Sequence, residues 1–404
     1  MRIAIIGGGA AGFFAAIAAK EAAPEHEVVL IEATSKVLSK VRISGGGRCN
    51  VTHACFDARE LVQYYPRGGK ELRQAFSRFM PGDTISWFEE RGVDLKTEED
   101  GRMFPVSDDS TSIVDCLMSS AQEAGVMLRL STSVRAIHPK NDKFILSLSN
   151  DNELIAHRLL IATGGSPKLE GFDWIASLGH TIVPPVPSLF TFNIPKDPIT
   201  QLMGVSVENA FVQISASNFS AKGPLLITHW GLSGPAVLKL SSLAARWLAE
   251  KNYNFEVIVN WMGEADSSDF SAWVGEQRKE RTTTKVLTTP PQGISKRLWE
   301  FLLHRAGIRA DINWSDLRRD ESDSLQRTVL SDCYSVKGKT TFKEEFVTCG
   351  GVSLKEIDFK TMQSKIIPHL FFAGEVLDID AVTGGFNFQA AWTTGFIAGN
   401  AMIN

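Results

Sequence analysis

The segment from Met1 to Glu32 constrains this chain more than any other. Met1-Arg2-Ile3-Ala4-Ile5-Ile6 reads as a short buried strand, and Gly7-Gly8-Gly9-Ala10-Ala11-Gly12 supplies G-x-G-x-x-G. Phe13 to Ala23 reads as an alanine-rich helix, and Glu27 to Ile31 as a second strand ending on Glu32. Strand, glycine turn, helix and second strand together make a βαβ dinucleotide fingerprint. Gly7 allows the tight turn, Gly9 lets the backbone approach a pyrophosphate, and Gly12 lets the helix pack on the strand. The helix N-terminus offers free N–H groups and partial positive charge to phosphates. Glu32 lies 20 residues beyond Gly12, where a carboxylate accepts hydrogen bonds from a ribose. The apolar stretch Ala4 to Ala19, with Ala16-Ile17-Ala18, imitates a signal peptide. It is too short to span a membrane, and its glycines fall where a phosphate turn needs them. The expectation is a cytoplasmic protein with no membrane association.

A chain of 404 residues implies two or three domains. A net charge of −4 argues against wholesale electrostatic binding to nucleic acid or an anionic membrane. Cysteines at 49, 55, 116, 333 and 349 show neither C-x-x-C nor C-x4-C spacing, so no metal site or redox pair is signalled. The odd count suits a reducing compartment.

Further along, Ser44-Gly45-Gly46-Gly47-Arg48-Cys49-Asn50 forms a glycine-rich loop, and residues 60 to 92 and 110 to 125 read as helical. Arg158 to Thr163 reads as a buried parallel strand opening into the Gly164-Gly165 turn. Three prolines at 184, 185 and 187 read as a stiff linker. Beyond it come alternating strands and then a polar, helix-rich block. Near 340 the glycine-rich style returns, with a strand at Leu370 to Glu375 and a final helix opening at Gly384-Gly385-Phe386-Asn387-Phe388-Gln389. The expected fold class is α/β. A discontinuous Rossmann-like dinucleotide domain, residues 1–188 and 338–404, carries an insert. Residues 189–264 are its strand-rich part and 265–337 its helical part.

FAD is the expected cofactor because it is long and needs contacts at several chain positions. The first loop takes the pyrophosphate, Glu32 the adenosine ribose, and the Thr163-Gly164 turn the adenine end. The C-terminal strand takes the ribityl chain and flavin. N–H groups of the helix opening near Asn387 point at flavin N1 and C2=O, where negative charge builds on reduction. No second βαβ glycine motif signals an NAD(P)H domain.

Several motifs resemble the bacterial BaiN/RdsA-type flavoproteins, which include aminoacetone-oxidase-type relatives. They are residues 44–50, Gly101-Arg102-Met103-Phe104-Pro105, Thr228-His229-Trp230-Gly231-Leu232-Ser233-Gly234-Pro235, Phe372-Ala373-Gly374-Glu375-Val376-Leu377-Asp378 and Thr383 to Gln389. The resemblance covers nearly the whole chain. It implies an FAD domain with an inserted β-barrel and a small helical domain. It also implies activities ranging from amine oxidation through steroid C=C reduction to ribosomal-RNA dihydrouridine synthesis. The ribityl-contacting acid, usually Asp in flavoproteins, is Glu375 here, as in this family. The expected cofactor-binding residues are Gly7, Gly9, Ala11, Gly12, Glu32, Lys40, Gly46, Arg48, Cys49, Asn50, Val134, Ala162, Thr163, Gly164, Gly374, Glu375, Gly385, Asn387, Phe388 and Gln389.

Two residues stand out for chemistry. Arg102 either steadies a substrate oxygen or is a solvated surface arginine. His229 is either a proton donor or a structural cap for its turn. Trp230 reads as core rather than as a substrate platform. Cys49 reads as a small loop residue rather than a catalytic thiol, having no partner cysteine and no base. Residues 271 to 330 hold eleven Lys or Arg against eight Asp or Glu, a modest excess. The leading expectation is an FAD-dependent oxidoreductase that reduces a polarised C=C bond by hydride transfer from flavin N5. Uridine in ribosomal RNA is the candidate substrate, and NAD(P)H or another external donor the electron source. An amine or aminoketone oxidase using oxygen is the second reading. An RNA- or protein-binding module with structural FAD is the third.

Overall fold

The computed structural model describes residues 1–340 and 347–404. The chain forms two compact units, Met1–Ser188 with Lys343–Asn404, and Leu189–Phe342. In the first, β1 (Arg2–Ile6), α1 (Ala10–Ala22) and β2 (Glu27–Ile31) build the expected βαβ turn. β1 is flanked by β2 and by Arg158–Ile161, both parallel to it. Met127–Arg129 extends the sheet beyond β2, and Leu370–Phe372 extends it beyond Arg158–Ile161. Both central strands are apolar nearly throughout because helices and neighbouring chain cover both faces.

The C-terminal helix Phe386–Ala401 packs on α1. A Cβ on Gly395 would lie 2.6 Å from the Ala11 carbonyl oxygen, and one on Gly399 2.5 Å from that of Ala15. These two glycines are therefore a packing requirement, because a side chain at either would push the C-terminal helix off the α1 backbone.

α2 (Ser39–Gly47) differs from the expected loop. Its backbone leaves the helix at Ser44, and Gly45, Gly46 and Gly47 all have positive φ. β3 (Thr52–His53), β4 (Leu95–Thr97) and β5 (Arg102–Pro105) then form a small antiparallel sheet.

The proline run is a strand rather than a linker. Ile182–Pro187 pairs antiparallel with Thr348–Val352, and the register shifts between Val183 and Val186. Pro184 and Pro185 fall in that irregularity, so their missing N–H groups cost no ladder bond.

In the second unit the two textures interleave instead of following one another. Its seven-stranded sheet includes Asp332–Lys337, which pairs with Asn254–Asn260, so the block expected to be helical to 337 ends as a strand. Helices Pro235–Leu243 and Ala245–Glu250 lie within the part expected to be strand-rich. Trp261, Trp299 and Trp314 are fully buried in its core. Each indole N–H is satisfied, donating to Asp332, the Val286 carbonyl and Thr289 respectively.

Candidate cofactor and active site

The glycine turn has the geometry of a phosphate cradle. Gly7 has a φ of +113°, and a Cβ there would meet the Ala162 oxygen at 2.3 Å. A Cβ on Gly12 would lie 2.0 Å from the Gly7 oxygen. Gly9, which precedes α1, differs: a Cβ there would find nothing within 4 Å. Its open side leaves room for a pyrophosphate. The residues present therefore fit a dinucleotide.

Glu32 follows β2, each carboxylate oxygen accepting one backbone N–H, from Gly8 and from Thr34, both at 2.8 Å. Each oxygen keeps a further lone pair for a ribose hydroxyl. The Thr132 N–H donates to the Glu32 carbonyl at 2.9 Å, which brings the start of the Val134–Lys140 strand to the same end. Ala162 is buried and its N–H donates to Ile6 at 2.8 Å, while Thr163 is exposed beside it.

Four distant segments meet at Glu375. One of its oxygens accepts the Thr348 N–H at 2.8 Å, and the other pairs with the exposed Lys40 ammonium at 2.6 Å. A Cβ on Gly165 would lie 2.9 Å from Glu375 and 2.6 Å from the Thr348 hydroxyl. Gly374, with a φ of +76°, would place a Cβ 2.9 Å from that of Ala11.

At the other end the loop and the C-terminal helix lock together. The Asn50 side-chain oxygen accepts from the Gly385 N–H at 3.0 Å, and its nitrogen donates to the Thr52 carbonyl at 3.1 Å. Asn387 brackets Ala381, accepting its N–H at 3.0 Å and donating to its carbonyl at 3.2 Å. Gln389 is fully buried, accepts from the hydroxyls of Thr52 and Thr84, and donates to Thr393. Phe388 stacks on Trp392 at 5.6 Å. The polar side chains of this turn therefore hold protein together. What remains for a ligand is the backbone of the helix start, whose first N–H groups have no preceding carbonyl to bond.

Cys49 is buried with a φ of +62°, and burial pushes its thiol up to about 12, so no thiolate forms near neutral pH. Gly46 and Gly47 have nothing within 4 Å of a built Cβ, which leaves the loop open on one side. Arg48 lies over the Phe104 ring, 3.9 Å from its centroid, and Arg102 sits 5.5 Å from the same centroid. Glu98 bridges them, with one oxygen 2.6 Å from Arg48 and the other 3.0 Å from Arg102.

The sequence reading passed over His53. It is the cross-strand partner of Arg102, and its ring stacks on Phe386 with centroids 4.5 Å apart. Its Nε2 lies 3.1 Å from the Asp100 carbonyl oxygen, and burial lowers its pKa, so the ring is neutral at pH 7. Glu98 and Thr348 were also passed over. Nothing in local spacing marks any of the three, since each gains its place from a segment far away in the chain. His229 and Arg102 belong to different units. His229 is exposed and edge-on to Trp230 at 4.2 Å, in a turn closed by the Gly231 N–H donating to the Thr228 hydroxyl at 3.2 Å. Trp230 is half-buried and donates to the Thr191 hydroxyl at 2.9 Å. No cluster of potential metal ligands occurs among the described residues, and no described helix is long and apolar enough to cross a membrane.

Comparison with known proteins agrees with this geometry. The chain is 28% identical over 412 residues to a 3-dehydro-bile acid delta(4,6)-reductase of Clostridium scindens, covering 99% of this chain and 98% of that one. It is 30% identical over 408 residues to a ribosomal RNA dihydrouridine synthase of Escherichia coli, covering 99% and 97%. Among solved structures, a 3-ketosteroid delta1-dehydrogenase from Sterolibacterium denitrificans shares the fold with a TM-score of 0.52, 11% identity, and 99% coverage of both chains. The model of the HI0933-like protein Rossmann domain matches residues 1–401. The chain therefore belongs to the HI0933-like family, and it is an FAD-dependent oxidoreductase.

Proposed function

We propose that the protein reduces a C=C bond conjugated to a carbonyl, and that its substrate is uridine in ribosomal RNA. When bound, FAD supplies the hydride from its N5 position. Arg102 holds the carbonyl oxygen where negative charge develops. The carbon beside that carbonyl then takes a proton, which completes the gain of two hydrogens. The observation that carries the reading is Arg102 held beside Phe104, with Arg48 of the glycine loop over the same ring and His53 as its cross-strand partner. The reductase and synthase names of its relatives support the same reaction class and the RNA substrate. NAD(P)H is the proposed electron source.

The test is to incubate reduced protein with ribosomal RNA lacking dihydrouridine and follow the gain of two hydrogens by mass spectrometry. A gain supports the reading. No gain, with rapid peroxide release from small amines, replaces it with the oxidase.

A further inference from the structure

Arg48 and Arg102 are the two cations beside the glycine loop, and neither is bare. Arg48 pairs with Glu98 at 2.6 Å and reaches Asp108 at 3.5 Å. Arg102 pairs with Asp100 at 2.7 Å and with Glu98 at 3.0 Å. Lys96 in turn pairs with Asp108. Three cations, Arg48, Lys96 and Arg102, thus face three carboxylates, Glu98, Asp100 and Asp108, and the cluster is neutral as a whole. The Glu98 hydrogen bond raises the Arg48 pKa, and the Lys96 hydrogen bond holds Asp108 below the usual carboxylate value.

The arginines nevertheless keep donors to spare. Nη2 of Arg48 and Nη1 of Arg102 have no hydrogen bond among the described residues. The two side chains are 34% and 40% exposed, so those edges are reachable. Phe104, fully buried, is the floor beneath both, and a Cβ on Gly45 would meet its ring at 2.9 Å. The spare N–H groups therefore lie beside the loop assigned to the cofactor. They can polarise a neutral carbonyl. A full carboxylate would gain the same hydrogen bonds, but in a cluster whose net charge is zero it would find no excess positive charge to offset the cost of its desolvation.

We propose that Glu98 is a specificity-determining residue, bridging Arg48 and Arg102 so that the site accepts neutral conjugated carbonyls and rejects carboxylates. This rests on the C=C reductase reading. Specificity here comes from cancelling the arginine charge as much as from the hydrogen bonds the arginines offer.

Fumaramide and fumarate are near-isosteric electron-poor alkenes that differ in charge. Titrated into the FAD-loaded protein, fumaramide is expected to perturb the flavin absorbance at concentrations about tenfold below fumarate. Glu98→Gln removes one negative charge, so the preference is expected to narrow or reverse with FAD content unchanged, and Glu98→Asp to restore it. Asp108→Asn, at an exposed position, tests the same charge if Glu98→Gln loses FAD. Equal or tighter binding of fumarate by the unaltered protein overturns the proposal. So does a preference that survives in Glu98→Gln or Asp108→Asn, and so does the absence of any perturbation by either compound. Hydride transfer from reduced protein to fumaramide separates the two ideas. Transfer with an unchanged preference defeats the role of Glu98 alone. Failure to reduce any neutral alkene defeats the reductase reading.

Discussion

His53 and Arg102 face each other as cross-strand partners of β3 and β5, and this pairing ties a guanidinium to the start of the C-terminal helix through the His53–Phe386 stack. The site is thus assembled from short strands whose ends carry chemistry. Their own length gives them little stability.

Arg102→Ala is expected to slow hydride transfer by about 10² while leaving FAD content near normal, the scale for removing one donor at a developing oxyanion. Single-turnover oxidation of reduced protein by its alkene checks this. A loss that merely tracks FAD content would remove Arg102 from the chemistry.

Two glycine substitutions should separate cofactor binding from folding. Gly9 has extended backbone and open space around its Cα, so Gly9→Val should fold normally yet release no FAD on acid precipitation. Gly7→Ala meets the Ala162 oxygen at 2.3 Å with a φ of +113°, so it should lose about 1–3 kcal/mol of stability in urea. Normal FAD content in Gly9→Val would place the pyrophosphate elsewhere.

The cysteines should label in an order set by burial. Cys333 is exposed, whereas Cys49 is buried with its thiol pushed up to about 12. A thiol reagent at pH 8 is expected to modify Cys333 first and Cys49 only on unfolding. Early modification of Cys49, read by peptide mass mapping, would contradict its placement.

Acid should weaken the fold through His180. The ring is buried, its Nε2 lies 2.8 Å from the Ser364 hydroxyl, and burial lowers its pKa. In the unfolded chain the group binds a proton near pH 6.5 while the folded protein does not. Its contribution is therefore fully present above that pH and is lost as the pH falls below it. Urea midpoints at pH 7.5 and 5.5 should differ less in His180→Gln than in the unaltered protein. Equal differences would assign the acid sensitivity to other groups.

Features that depend on adjacent residues could be read along the chain. Gly7, Gly9, Gly12 and Glu32 were legible because each meets a requirement set within one βαβ turn, and the strand ends at Ala162 and Gly374 announced themselves in the same local way. Only the tertiary structure decided the rest. Pro184 and Pro185 look like a linker until a partner strand, Thr348–Val352, shows that they fall in an irregularity of the ladder. Asn387 and Gln389 sit in a helix opening assigned to flavin, yet their side chains are spent on Ala381, Thr52, Thr84 and Thr393. The Gln389 contact to Thr52 spans 337 positions, and that from Glu98 to Arg48 spans 50. A side chain's hydrogen-bond partners are set by which distant segments the core brings alongside it, and short-range pattern carries no record of that. For this reason the cofactor could be read from the chain, while the charge balance around Arg48 and Arg102 required the fold.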